Sequence, residues 1–235
     1  MSMVLTALFE ATLQSGVLAI AVMLVVLMTR RASAPLRAAL LTVALLKFAV
    51  PPGLGFSFAP RPLPSLHVLV PELNVPGAWP LFAVWALGSV LVLGWVIREW
   101  RRSAAIARSG VAVGDPALDE VVTTLSRRIG LDRAPELVVS PLAVEAFVWG
   151  LRRICLVLPE GWDRRLSRSE VDMVLLHELA HIRRRDHVVI AFASWLAVVW
   201  WWNPLFWWVL SRLRASQEQA CDDAAILAGT SDPAD

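Results

Sequence analysis

Ser-Arg-Ser-Glu-Val-Asp-Met-Val-Leu-Leu-His-Glu-Leu-Ala-His, residues 167–181, is the stretch on which the reading of this chain turns. Ser167 followed three residues later by Glu170 is a capping-box pattern, and the apolar residues Val171, Val174 and Leu175 follow it at helical spacing. A helix is expected to begin near Ser169 and to run through both histidines. At 3.6 residues per turn His177 and His181 share one face about a turn apart, the separation two imidazoles need to bind one zinc ion. Glu178 follows the first histidine, where a carboxylate reaches the water beside such an ion without binding the ion itself, the position of a general base.

Two histidines leave a third ligand to find, a His, Asp or Glu on another element. His187 is six residues beyond His181 and off the ligand face, and His67 lies in a loop expected outside the cell. Past the last apolar run, Gln217-Glu218-Gln219-Ala220-Cys221-Asp222-Asp223 reads as helical, with Glu218 and Asp222 on one face at i and i+4. Glu218 is the leading third ligand and Asp222 a hydrogen-bond acceptor for a ligand histidine. Cys221 is a softer competitor as ligand. A solvated acidic helix face is the plain alternative for Glu218 and Asp222.

Outward from these motifs the chain turns apolar. Hydrophobic residues make up 57% of the 235 and charged residues 18%, against roughly 45–50% and 25% in soluble domains. Apolar runs at about 4–28, 36–52 and 79–97 read as three transmembrane helices, with an outside loop over 53–78. Glu10 inside the first run and Arg30-Arg31 after it argue against a cleavable signal peptide. Arginines gather after the first and third runs, at Arg30, Arg31 and Arg37 and at Arg98, Arg101, Arg102 and Arg108, while the outside loop holds only Arg61. The positive-inside rule then puts the N-terminus outside and the chain beyond Arg98 in the cytoplasm. Basic residues are 21 Arg and the single Lys47, with no basic arm or stripe, so no direct nucleic-acid binding is expected. Cys155 and Cys221 fall in the part expected in the cytoplasm, which excludes a disulfide framework.

Residues 110–187 have the charge and patterning of a soluble α+β domain. Asp115-Pro116 opens a helix that Gly130 stops, Leu137-Val138-Val139 reads as a strand, and Val144–Trp149 with Ile154–Leu158 resembles a hairpin around Gly150-Leu151-Arg152-Arg153. One edge of that hairpin is expected to face the cleft and to take an extended substrate as an added strand.

Val188–Leu210 is apolar again and long enough to span a bilayer. A straight span would carry Glu218 to the side opposite the histidines, and arginines flank both ends, at Arg183–Arg185 and at Arg212 and Arg214. Residues 188–211 are therefore expected to form a re-entrant or membrane helical hairpin broken at Asn203-Pro204, with Pro204 starting the second helix and 212–235 carrying the third ligand. Six of the twelve tryptophans lie between Trp195 and Trp208, near that turn, and there is no Tyr.

His-Glu-Leu-Ala-His-Ile-Arg-Arg-Arg-Asp-His (177–187), Trp-Trp-Trp-Asn-Pro-Leu-Phe-Trp (200–207), Glu-Gln-Ala-Cys-Asp (218–222) and Phe-Val-Trp-Gly-Leu-Arg-Arg-Ile-Cys-Leu-Val-Leu-Pro-Glu-Gly (147–161) together resemble the BlaR/MecR-type integral-membrane zinc metallopeptidases, the antirepressor class of β-lactam-sensing receptors. The resemblance implies zinc bound by His177, His181 and Glu218, with Glu178 as catalytic acid and base. It also implies proteolysis at the cytoplasmic face of a bacterial-type inner membrane. The fold class expected is an α-helical membrane protein with an α+β, gluzincin-like cytoplasmic zinc metallopeptidase domain. Expected partners are the lipid bilayer and a protein substrate, a DNA-binding repressor or the chain itself. Receptors of this class carry an extracellular penicillin-binding domain after a further span. No such domain follows in this sequence, which reads as a sensorless member or as part of a longer chain. Rival readings are a catalytically silent metal-binding membrane module that recruits partners and, more weakly, a transporter relaying protons through Glu10 and Glu178. With no Tyr, an oxyanion donor would have to be an Arg, a His or a backbone amide; Arg183–Arg185 and His187 are the nearest in sequence.

Overall fold

The structure is a computed structural model that describes residues 33–49, 79–151, 153–164 and 166–230, together with Leu24. Apart from Leu24, the first expected span lies outside the described residues, as does the outside loop, His67 included. The chain divides into two compact units, one built on Leu36–Gly94 and Ala193–Leu213, the other on Trp95–Phe192 and Arg214–Asp235.

In the first unit, helix α1 (Ala34–Lys47) buries Ala38, Leu41, Ala44 and Leu45. Helix α2 (Trp79–Ser109) is 31 residues long and, among the described residues, is the one helix long and apolar enough to cross a membrane. It runs on past the 79–97 read from hydropathy because nothing in Arg98–Ser109 stops a helix. Leu81, Val84, Leu87, Val90 and Leu91 are all more than half exposed, an apolar surface that water would not favour.

Helix α5 (Asp186–Trp200) and helix α6 (Pro204–Gly229) are separated by a turn at 201–203. The break is built by Asn203, whose side-chain oxygen accepts from the amides of Leu205 (2.9 Å) and Phe206 (3.4 Å), and by Pro204, which lacks the donor that a first-turn position would leave unused. Indoles donate to main-chain carbonyls around the interruption. Trp85 donates to Val199 O (3.1 Å), Trp207 to Trp201 O (2.8 Å) and Trp201 to Trp85 O (3.3 Å), while Trp200 donates to Phe48 O (2.9 Å) at the end of α1. The Phe48 ring meets Trp200 and Phe206 edge-on at 5.4 and 5.5 Å. Gly88 on α2 has no room for a side chain, since a Cβ there would run into the Trp201 indole. Beyond Leu210, α6 continues to Gly229 as one helix; the change to polar residues at Arg212 alters its surroundings and not its backbone, because no Gly or Pro intervenes.

The second unit holds a four-stranded sheet in the order β1-β2-β4-β3, made of β1 (Val111–Ala112), β2 (Glu136–Ser140), β3 (Phe147–Trp149) and β4 (Cys155–Pro159). The hairpin pairs Phe147 with Val157 and Trp149 with Cys155, leaving β3 at the edge. Gly150 makes its turn at φ 99°, where a Cβ would strike the carbonyl of Arg153. Sequence reading did not find two features, the two-residue β1, antiparallel to β2, and the parallel pairing of β2 with β4. Helix α3 (Pro116–Arg128) is capped by Asp115, which accepts from the Ala117 amide at 2.9 Å. Helix α4 (Arg168–Arg184) begins with the full capping box of Ser167 and Glu170. Its Leu175, Leu176, Leu179 and Ile182 join Val122, Leu125, Leu137, Leu156 and Leu158 in one buried core. That packing fixes the rotation of α4 and leaves His177, Glu178 and His181 half-buried beside the core.

Candidate metal centre

His177 and His181 stand one turn apart on α4, their rings 4.9 Å between centroids and near perpendicular at 77°. Glu218, on α6, turns its carboxylate to both, with Oε2 3.5 Å from His177 Nε2 and Oε1 3.7 Å from His181 Nε2. Ligands at ~2.1 Å on a tetrahedral ion lie ~3.4 Å apart, so these separations suit a single zinc ion, and one atom from each residue fits within 4.8 Å of the others. The donor set, two imidazoles and a carboxylate, suits the same ion. A three-residue set that converges on one point beside a half-buried acid defines a candidate single-metal hydrolytic centre.

Both rings are held from behind. Asp222 Oδ1 lies 2.9 Å from His177 Nδ1, which places the residue singled out for this task against the first histidine of the pair. The second histidine has a partner that sequence reading missed: Asp186 Oδ2 lies 3.0 Å from His181 Nδ1. Asp186 reaches back across five residues because Arg185 adopts a left-handed conformation (φ 58°), ending α4 and turning the chain at a cost of ~1 kcal/mol for a residue with a Cβ. Arg184 Nε donates to the same oxygen (3.2 Å), and the amide of Gln217 donates to Oδ1 (2.9 Å). With Nδ1–H given to a carboxylate, each ring is left with Nε2 as the acceptor, the nitrogen turned towards Glu218.

Cys221 lies on the other edge of the His181 ring, its Sγ 3.3 Å from Nδ1 and 3.6 Å from Asp186 Oδ2. Burial above all, with Asp186 beside it, pushes its thiol far up, so without a metal ion it stays an S–H; with His181 and Asp186 it forms a second group whose ligand atoms lie within 4.8 Å of one another.

Burial also raises the Glu178 carboxyl above the ordinary Glu range, with Glu218 and Glu145 adding to it and His181 and His177 opposing. Burial disfavours a charged His181, but its hydrogen bond to Asp186 and the nearby Glu218 outweigh this and lift its pKa. Asp186 is likewise resisted by burial and is nonetheless held low by His181 and Arg184. A cavity of about 480 Å³ opens beside Glu178 between Met173, Val174, His177, Asp222, Ala225 and Ile226. Arg183–Arg185 and His187 do not line it; Arg184 is spent on Asp186, and the other three face elsewhere.

The profile of the BlaR1 peptidase M56 family matches residues 69–232, and the chain belongs to that family. It is 30% identical over 145 residues to the regulatory protein BlaR1 of Bacillus licheniformis, a match covering 62% of this chain and 24% of that protein. It is 21% identical over 143 residues to the methicillin resistance mecR1 protein of Staphylococcus aureus, covering 60% and 24%. A protease HtpX homolog of Pelotomaculum thermopropionicum is 38% identical over 82 residues, covering 34% of this chain and 29% of its own length. The chain thus spans about a quarter of the first relatives it matches.

Proposed function

We propose that this chain is an integral-membrane zinc endopeptidase in which His177, His181 and Glu218 hold the ion and Glu178 is the general base and acid. The observation that carries the reading is the convergence of three ligand atoms at tetrahedral spacing next to a half-buried carboxylate. A zinc ion bound there supplies Lewis-acid activation of water and of the scissile carbonyl at neutral pH. Glu178 takes the proton from the attacking water and passes it to the leaving amine. Its raised pKa brings it nearer neutrality, where a base is still ionised and its conjugate acid can still donate. Asp222 and Asp186, each on an Nδ1, hold the two rings in direction with Nε2 towards Glu218. The cavity beside Glu178, largely apolar at Met173, Val174, Ala225 and Ile226, suits an apolar side chain next to the cleaved bond, and the free edge of β3 offers an extended peptide a strand to pair with.

The exposed apolar faces of α2 and the Asn203-Pro204 break favour a bilayer location, with 188–211 as a re-entrant hairpin and the centre at the cytoplasmic face. The substrate we propose is a cytoplasmic or membrane-proximal protein, a transcriptional repressor or the chain itself, in a signalling pathway. The competing reading, a silent metal-binding module, predicts no cleavage by any form. Elemental analysis of the wild type and the Glu178→Gln and Glu218→Ala variants, with proteomic comparison of cells carrying wild type or Glu178→Gln, separates the two. The enzyme reading expects Glu178→Gln to keep its zinc and lose cleavage, and Glu218→Ala to lose zinc; full zinc retention in Glu218→Ala removes it from the ligand set.

A further inference from the structure

Away from the metal centre, the second unit contains a cavity of about 990 Å³ between the loop that follows α3, the β3–β4 turn and the junction of α4 with α5. Four arginines line it, Arg133, Arg153, Arg183 and Arg185. Asp132 and Glu136 line it too, yet none of the four guanidiniums forms an ion pair or hydrogen bond among the described residues. The four guanidiniums outnumber the two acids around one concavity and focus a positive potential into it. His187 lines the same cavity, and both its ring nitrogens are buried without a hydrogen-bond partner. The lining is not polar throughout. Leu151 (59% exposed) and Val188 (39% exposed) stand beside the arginines, and Val188 is the first residue of the apolar run that α5 carries to Trp200.

We propose that this cavity binds the phosphate headgroup of an anionic phospholipid, with the guanidiniums on the phosphate oxygens and the acyl chain leaving past Leu151 and Val188. Guanidinium groups pair with phosphate in bidentate geometry. A soluble phosphate ester offers the same headgroup chemistry but gives the apolar side chains nothing to cover. The site is independent of the metal centre's chemistry, yet it grips α4 at Ile182 and Arg183, directly after His181, and holds both neighbours of Asp186. A bound lipid would therefore steady the end of the helix that presents the histidines.

The full chain in an uncharged detergent is titrated with phosphatidylglycerol, with phosphatidylcholine and, separately, with glycerol phosphate, and occupancy is read by native mass spectrometry. Phosphatidylglycerol is expected to bind about tenfold or more tighter than phosphatidylcholine, the scale of one charge-assisted hydrogen bond. Arg133→Gln with Arg153→Gln should bring the two lipids within about twofold of each other. Those two side chains are exposed and unpaired, so their loss leaves no buried group stranded. Arg127→Gln with Arg168→Gln, an equal change of charge outside the cavity, should keep the preference. Absence of preference in the wild type, or an equal loss in the control pair, overturns the site. Glycerol phosphate binding as tightly as the lipid overturns the lipid as occupant and leaves a soluble phosphate ester.

Discussion

Asp186→Asn tests whether the carboxylate behind His181 sets up the metal centre. One oxygen of Asp186 serves His181, Arg184 and Cys221, and the other accepts from Gln217. Asn can keep its oxygen on the His181 side, while Gln217 turns its own amide over to meet the new NH₂, so packing survives and the main loss is the negative charge. Loss of such a partner behind a ligand histidine costs about 10–100-fold in metal affinity, or ~1.4–2.7 kcal/mol. Asp222→Asn, on a side chain 63% exposed, should cost less than Asp186→Asn on one only 7% exposed, because water replaces what the amide no longer provides. Competition with a chromophoric chelator gives both affinities. The zinc-free proteins supply an independent check. Asp186, held low in the folded state, contributes stability that is present above its ordinary ~3.9 and lost as pH falls through its folded pKa. His181, held high, contributes stability present below ~6.5 and lost as pH rises through its folded pKa. The gap between wild type and Asp186→Asn should therefore be widest at about pH 4–6.5 and narrow on either side. Zinc affinity in Asp186→Asn within twofold of wild type, or a larger loss in Asp222→Asn, would refute the assignment of Asp186.

Glu178→Gln should lower peptide cleavage by about 10²–10⁴-fold with zinc content unchanged, since the amide can neither take nor give the proton. Ser167→Ala should destabilise the second unit by ~1 kcal/mol in thermal or chemical unfolding, because it removes the acceptor for the Glu170 amide. Glu170, held low by Ser167, makes the capping box fade as pH falls below ~4.3. Gly88→Ala should cost ~1–3 kcal/mol by pushing a methyl into the Trp201 indole; an unchanged unfolding temperature in detergent means that α2 and Trp201 do not meet there.

What could be read from the sequence was carried by local signals. The capping box, the i, i+4 histidines and the Asn-Pro break each act within one or two helical turns, so Ser167, His177, His181 and Pro204 could be placed without knowing what packs against them. Glu218 and Asp222 were legible as a pair on one helix face, but their meeting with His177 depends on tertiary packing. Asp186 was not legible, because its role requires a left-handed turn at Arg185, where a glycine would ordinarily advertise it. The available clue was an acid wedged between a run of arginines and an apolar stretch, five residues after His181. β1 is too short for any periodicity, and the parallel pairing of β2 with β4 joins residues 19 apart, beyond the reach of pattern.

The hydrogen bonds at the α5–α6 turn divide the tryptophans into two kinds. Trp85, Trp200, Trp201 and Trp207 each spend their indole N–H on a main-chain carbonyl, so Phe or Leu in their place would fill much of the volume and lose that bond. Among the described residues, Trp202 and Trp208 carry no such duty through their indole nitrogens. As relatives of this protein diverge, the first four positions should drift little and then in concert with the residue whose carbonyl they serve, while the other two should wander freely among large apolar side chains. An abundance that looks like compositional bias would resolve, in a family tree, into four fixed points and a variable remainder.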